Sequence, residues 1–225
     1  MCGRYFLAAD GETIARRFAL RAVPEVAPRY NVAPGQRAWI IRREGEEVVA
    51  TPMTWGFLPH WAKPDFRHRP INARAETIAQ KPIFRDAWRR ARRCLVPASG
   101  FYEWEQTLAG KMPWAIAAAD GELLAMAGIW DEWRDAEAKS HSSFAILTRP
   151  AEPPVDRLHE RMPVLMPLHH QALWLSGPPA AAETLLALPN EVPLRMWRVS
   201  RRVNDAHHDE ASLIEPMSAS TGAPD

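Results

Sequence analysis

Twenty-one of the 225 residues are proline, scattered from Pro24 to Pro224. Inside a helix a proline removes a backbone donor and clashes with the preceding turn, and in a central strand it breaks the ladder. A chain so punctuated folds into short elements joined by many ordered loops.

Apolar periodicity locates those elements. Residues 10–20 read as a helix, with Asp10 as N-cap and Ile14, Phe18 and Leu20 on its apolar face. After a loop through Pro24, Pro28 and Pro34, strands are expected at 38–42 and 47–51, joined as a hairpin at Glu44-Gly45-Glu46. Residues 55–70, rich in Pro, Trp, His and Arg, read as a long ordered loop of the kind that carries function. A helix is expected within 76–92, from the spacing of Phe84, Trp88 and Ala91. Strands follow at 93–96, 100–105, 114–119, 123–129 and 144–148, short helices at 169–175 and 180–188, and a last strand at 194–199. Hairpin-connected strands with scattered helices define an α+β fold. The expected domain is 1–216, and the tail 217–225 is expected to be disordered.

Charge is balanced, with 28 Lys and Arg against 27 Asp and Glu, and gives no global signal for nucleic acid or membrane. Locally, Arg67, His68, Arg69 and Arg74 cluster, as do Arg85, Arg89, Arg90, Arg92 and Arg93; each set reads as a basic stripe or as a solvated face. Two cysteines, Cys2 and Cys94, exclude a disulfide framework and suit a reducing cytoplasm. With only Met1 ahead of Cys2 no signal peptide is expected, and no apolar run is long enough for a membrane helix. Ten tryptophans supply flat surfaces for a core or for base stacking.

Four segments could carry chemistry. Removal of Met1 would leave Cys2 with an α-amine of pKa about 7.7–8.0 and a thiol of about 8.5 on adjacent carbons. With an aldehyde that pair forms a Schiff base and then a thiazolidine ring; with an amide it acts as an N-terminal nucleophile. In Ile71-Asn72-Ala73-Arg74, Asn72 could meet a sugar and Arg74 a phosphate, or Asn72 could simply cap a helix. In Gly100-Phe101-Tyr102-Glu103-Trp104-Glu105, strand alternation puts Glu103 on the face of Phe101 and Glu105, either as a desolvated acid–base group or facing solvent. His159 begins His-Glu-Arg-Met-Pro, where Pro163 stands in place of the second histidine of a zinc-peptidase helix. It is a proton-transfer residue or a hydrogen-bonded structural one. His169-His170 and His207-His208 lack ligand spacing, so neither a metal site nor a cofactor is expected.

Met1-Cys2-Gly3-Arg4-Tyr5, Arg29-Tyr30-Asn31-Val32-Ala33-Pro34, Trp55-Gly56-Phe57, residues 71–77, Arg93-Cys94-Leu95-Val96-Pro97, residues 100–104, residues 159–163 and Val199-Ser200-Arg201-Arg202-Val203-Asn204 together resemble, in order, the SOS-response-associated peptidase (SRAP) family. The resemblance implies one domain with a barrel-like core of mostly antiparallel strands and peripheral helices. It implies covalent capture of abasic sites in single-stranded DNA by the exposed N-terminal cysteine. Roles follow by position. Cys2 would be the nucleophile, freed by autopeptidase removal of Met1. Asn72 would hold the sugar and amino terminus, Glu103 would move protons in a lyase-like ring opening, and His159 would assist at the sugar hydroxyl. Arg4, Arg74, Thr148 and Arg161 would contact phosphates, and Pro34 and Trp61 would wedge against flanking DNA. A cytoplasmic monomer, nucleoid-associated on damage, is implied. Two other readings stay open at this point: a thiol peptidase acting on other proteins, and a non-covalent single-strand-binding module.

Overall fold

In a computed structural model of the chain, residues 2–108 and 110–217 are described. The elements in order are β1 (Tyr5–Leu7), α1 (Gly11–Arg17), β2 (Arg29–Val32), β3 (Arg37–Glu44), β4 (Glu47–Trp55), β5 (Asn72–Arg74), α2 (Arg85–Arg89), β6 (Arg93–Ala98), β7 (Gly100–Thr107), β8 (Gly110–Ala118), β9 (Leu124–Arg134), β10 (Ser140–Pro150), β11 (Arg161–Pro163), α3 (Leu168–Ser176), α4 (Pro179–Ala187) and β12 (Leu194–Arg198). Strands β10, β4, β3, β6 and β9 pair in that order, and β9 pairs back onto β10, closing a ring of five. Only β4–β10 in this ring is parallel. A second sheet, β12–β8–β7–β1–β2, packs against it. The fold is the expected α+β domain with a barrel core.

Alternation along the ring strands explains why both of their faces are apolar. Ile40, Val96, Met126 and Ile146 join one core, shared with Cys2, Tyr5, Val32 and Phe101 of the second sheet. Their neighbours Ile41, Leu95, Ala127 and Leu147 join another, covered by Ile14, Trp88, Trp174 and Leu185 from the four helices. The outer face of the second sheet is closed by Val199, Val203 and Leu213, which pack on Phe6 and Tyr102. No helix among the described residues is long and apolar enough to cross a membrane.

The α1 cap is as expected, Asp10 accepting from the Thr13 N–H at 2.8 Å. The β3–β4 hairpin turns at Gly45, whose φ of +60° is in the left-handed region where a side chain would be strained. The helix expected within 76–92 is reduced to a single 3₁₀ turn, Ala75–Thr77, and the short α2. Pro82 falls between them and denies the helix a donor in its middle. Four strands of three or four residues, β1, β2, β5 and β11, lie in stretches that carry no periodic signal of their own. Of the tail expected to be disordered, residues 218–225 lie outside the described residues.

Candidate active site

Cys2 precedes β1, and its side chain is fully buried in the core between the two sheets, not exposed as the resemblance implies. The Asn72 side-chain amide donates to the Cys2 carbonyl at 2.9 Å, while its own carbonyl oxygen is buried and has no hydrogen-bond partner among the described residues. An orphaned acceptor of that kind costs about 1–3 kcal/mol, and it lies beside the chain's first backbone atoms. Glu103, on β7, is 5% exposed, which removes the solvent-facing reading; β7 is an interior strand, flanked by β1 and β8. Burial first, and then the charge of Glu103, push the Cys2 thiol well above its ordinary value. At neutral pH the sulfur is therefore protonated, held as SH rather than as a thiolate.

Strand β10 gathers the next group. Its early residues pair with β9 and β4, and its last residues with β5 and β11. Asn72 lies opposite Ile146, Arg74 and Pro163 both lie opposite Thr148, and Arg161 lies opposite Pro150. Asn72, Arg74, Thr148 and Arg161 thus share one small three-strand patch, with Arg74 exposed and Thr148 buried. Arg161 makes a two-pronged ion pair with Glu76 and donates to the Thr148 carbonyl at 2.6 Å. That pairing holds the Glu76 carboxyl below the usual range. His159 stands just before β11. Its Nδ1 accepts the Arg161 N–H at 2.9 Å, which leaves Nε2 as the protonated ring nitrogen of the neutral form. The neighbouring Leu158 packs on the core that contains Cys2.

Arg4 is used internally. Its Nη1 donates to Asn31 Oδ1 at 2.7 Å and to the Val203 carbonyl at 2.8 Å, and burial lowers its pKa. Asn31 in turn donates to the carbonyls of Asp205 and His208, so the C-terminal segment is tied to the start of the chain.

Pro34 is exposed at the rim of a cleft of about 590 Å³. Trp55, Gly56, Ile71, Arg69 and Trp133 line its walls. Trp55, which lines the cleft, belongs to the same core cluster as Cys2; its ring lies 5.3 Å from Tyr5 and its indole N–H donates to the Ile71 carbonyl, next to Asn72. Trp61 is 44% exposed on the neighbouring loop, edge-on to Phe66. That loop is pinned from below: the Leu58 N–H donates to Ser143 Oγ, the His60 N–H and Nδ1 face buried Asp131, and the Trp133 indole donates to the Ala62 carbonyl. Asp131 also receives Arg92. Sequence reasoning missed this hub, because an acidic residue inside a strand announces nothing about a partner some seventy positions away.

The second arginine cluster is not a continuous basic stripe. Arg92 is committed to Asp131, and Arg93 is 1% exposed, donating to the Trp174 and Gly177 carbonyls at the end of α3 and lying over Trp88 and Trp174. A cation there satisfies orphaned helix-end carbonyls. Arg85 and Arg89 both approach Asp86.

A closed mixed barrel that buries Cys2 at its junction with a second sheet, with the Asn72 amide on the Cys2 carbonyl, defines a class of small α+β proteins. The chain belongs to the SOS response associated peptidase (SRAP) family, whose model matches residues 1–206. It is 32% identical to the abasic site processing protein YoqW of Bacillus subtilis over 96% of this chain and 99% of that one. It is likewise 32% identical to the abasic site processing protein YedK of Escherichia coli, over 96% and 100%. The chicken abasic site processing protein HMCES is 28% identical over 96% of this chain and 78% of its own length. A solved protein from Bacteroides thetaiotaomicron superposes with a TM-score of 0.84 at 25% identity, covering 96% of this chain and all of that one.

Proposed function

We propose that this protein captures abasic sites in single-stranded DNA, using Cys2 after removal of Met1 and ending in a thiazolidine. The observation that carries this reading is the enclosed trio of Cys2, the Asn72 amide on its carbonyl, and the buried Glu103. The names of the relatives support the substrate class.

The chemistry follows from the state of the thiol. With the sulfur protonated, the α-amine is the first nucleophile. It adds to the aldehyde carbon of the opened deoxyribose, and the carbinolamine loses water to give a Schiff base. The Glu103 carboxylate relays both amine protons to the carbinolamine oxygen, so that it departs as water and the carboxylate is restored. The thiol then adds to the imine carbon, its proton passing to Glu103 and on to the ring nitrogen, and the five-membered ring closes. Asn72, with its unpaired oxygen, accepts from the amine and holds it on line. His159, with Nε2 protonated, hydrogen-bonds the sugar hydroxyl. No metal is called for in these steps.

Removal of Met1 would be a self-directed amide cleavage by the same residues. Arg74 and Trp61, both exposed, are the DNA contacts the geometry favours most. Arg4, Thr148 and Arg161 already hold internal partners, and would contact phosphate through what those bonds leave over. Pro34 at the cleft rim would abut a flanking base. Action as a cytoplasmic monomer that joins the nucleoid on damage belongs to the same proposal.

The test is a single-stranded oligonucleotide carrying one abasic site, incubated with the protein and run on a denaturing gel. A heat-stable shifted band is expected. Its absence, with binding retained on a native gel, would leave a non-covalent binder. Intact mass should show the active protein beginning at Cys2; full activity with Met1 retained would rule out the amine as nucleophile.

A further inference from the structure

We propose that His169, His170 and Glu191 form a binding site for a first-row transition-metal dication, Zn²⁺ foremost. The two histidines occupy the first turn of α3, and Glu191 comes from the loop between α4 and β12. Adjacency in sequence gave the histidine pair no ligand spacing; the fold supplies the missing third donor. One ligand atom from each residue lies within 4.8 Å of the other two. The His169 Nε2–Glu191 Oε2 separation is 3.2 Å, and the two imidazole centroids are 4.1 Å apart. With metal–ligand bonds of about 2.0–2.1 Å, neighbouring donors on a tetrahedral ion stand about 3.3 Å apart. One edge of that tetrahedron is therefore already present, and the other donors, already within 4.8 Å, belong to side chains at the surface, His169 and Glu191 exposed and His170 half-buried.

Both backbones that carry the donors are fixed. The His170 N–H donates to the Pro167 carbonyl at 3.0 Å. Asn190 brackets Glu191 by bonding its side-chain amide to the Val192 carbonyl at 2.8 Å, and its own N–H donates to Glu152. Two nitrogens and one carboxylate suit zinc, copper, nickel or cobalt, whereas calcium and magnesium select all-oxygen shells. Three protein ligands leave a fourth position for water, so the ion would staple the start of α3 to the α4–β12 loop without being enclosed. None of the three residues belongs to the Cys2 trio, and the proposal is independent of the DNA reading.

Calorimetric titration of the untagged full chain with Zn²⁺ should show one saturable site per molecule, and Zn²⁺ should raise the thermal midpoint. H169A, H170A and E191Q should each weaken binding by at least the roughly tenfold that loss of even an outer-shell partner costs a metal site. H207A/H208A, which removes the other histidine pair, should bind like wild type. Co²⁺ should give visible ligand-field bands without the near-ultraviolet band of a sulfur ligand, which excludes Cys2 as the site. E191Q keeps the side-chain shape at an exposed position, so its metal-free melting curve should match wild type. Lack of saturable binding to wild type, affinity unchanged in E191Q, or a sulfur band with Co²⁺ would each overturn the proposal.

Discussion

In the proposed reaction Cys2 and Glu103 would divide the work in a way that single substitutions can separate. C2A keeps the α-amine, so a Schiff base trappable by borohydride should form while the heat-stable crosslink disappears. E103Q keeps both nucleophiles and nearly the same shape but loses the proton carrier. Its crosslinking should slow by the roughly 10²–10⁴-fold typical of lost acid–base catalysis, with the same final product. Single-turnover gels read both outcomes. A stable crosslink from C2A, or wild-type kinetics from E103Q, would refute the assigned role. At this scale the sequence draws the eye to side chains whose chemistry is unusual by itself, as with a cysteine at position two. It was not legible for Arg93, whose place in an arginine cluster suggests solvent but whose guanidinium is buried against the rings of Trp88 and Trp174.

The loop after β4 shows how an element can be readable while its support is not. Its run of Pro, Trp and His marks an ordered loop, yet the residues that order it, Asp131, Trp133 and Ser143, sit on β9 and β10. W61A should weaken single-stranded DNA binding by about 1–3 kcal/mol, the usual value of one base stacked on an aromatic ring, with an unchanged salt slope. D131A should lower affinity in the same salt-independent way with Trp61 intact. It should also destabilise the fold by about 3 kcal/mol, because breaking a buried ion pair strands Arg92. Fluorescence anisotropy across a salt series and urea melts check both. R74A should differ in kind, flattening the logarithmic salt slope by about 0.7. The short strands β5 and β11 were unreadable for a related reason. Three residues carry no period, and they are strands only because β10 offers them its backbone.

For the whole molecule, buried weak acids set the alkaline limit. Burial raises Cys2, Cys94, Tyr5 and Tyr102 above their ordinary values of about 8.5 and 10. The native state keeps these protons when the unfolded chain has released them. Their contribution is therefore complete below about pH 8.5 and is lost as pH climbs toward the raised native values. Each group that the unfolded chain has ionised and the native state has not steepens the decline by about 1.4 kcal/mol per pH unit. Denaturant midpoints measured from pH 8 to 11 should fall with growing slope, and C94A should remove one group's share of it. A midpoint flat to pH 11 would contradict the burial of these groups.

Strand β1 is held on both sides, by β2 and by β7, and the backbone and side chain of Arg4 are tied to Tyr102, Asn31 and Val203. The proposed adduct at Cys2 would make that strand the point where mechanical load enters the protein. A motor advancing along the captured DNA would haul on residue 2, and a pull along β1 stretches both hydrogen-bonded borders in shear, so that they resist together instead of unzipping in turn. Pulling with optical tweezers between Cys2 and an internal handle should therefore require a higher rupture force than pulling from Met217, which lies outside any sheet. The protein would hold a damaged strand as an anchor does, through a short strand gripped along both of its edges.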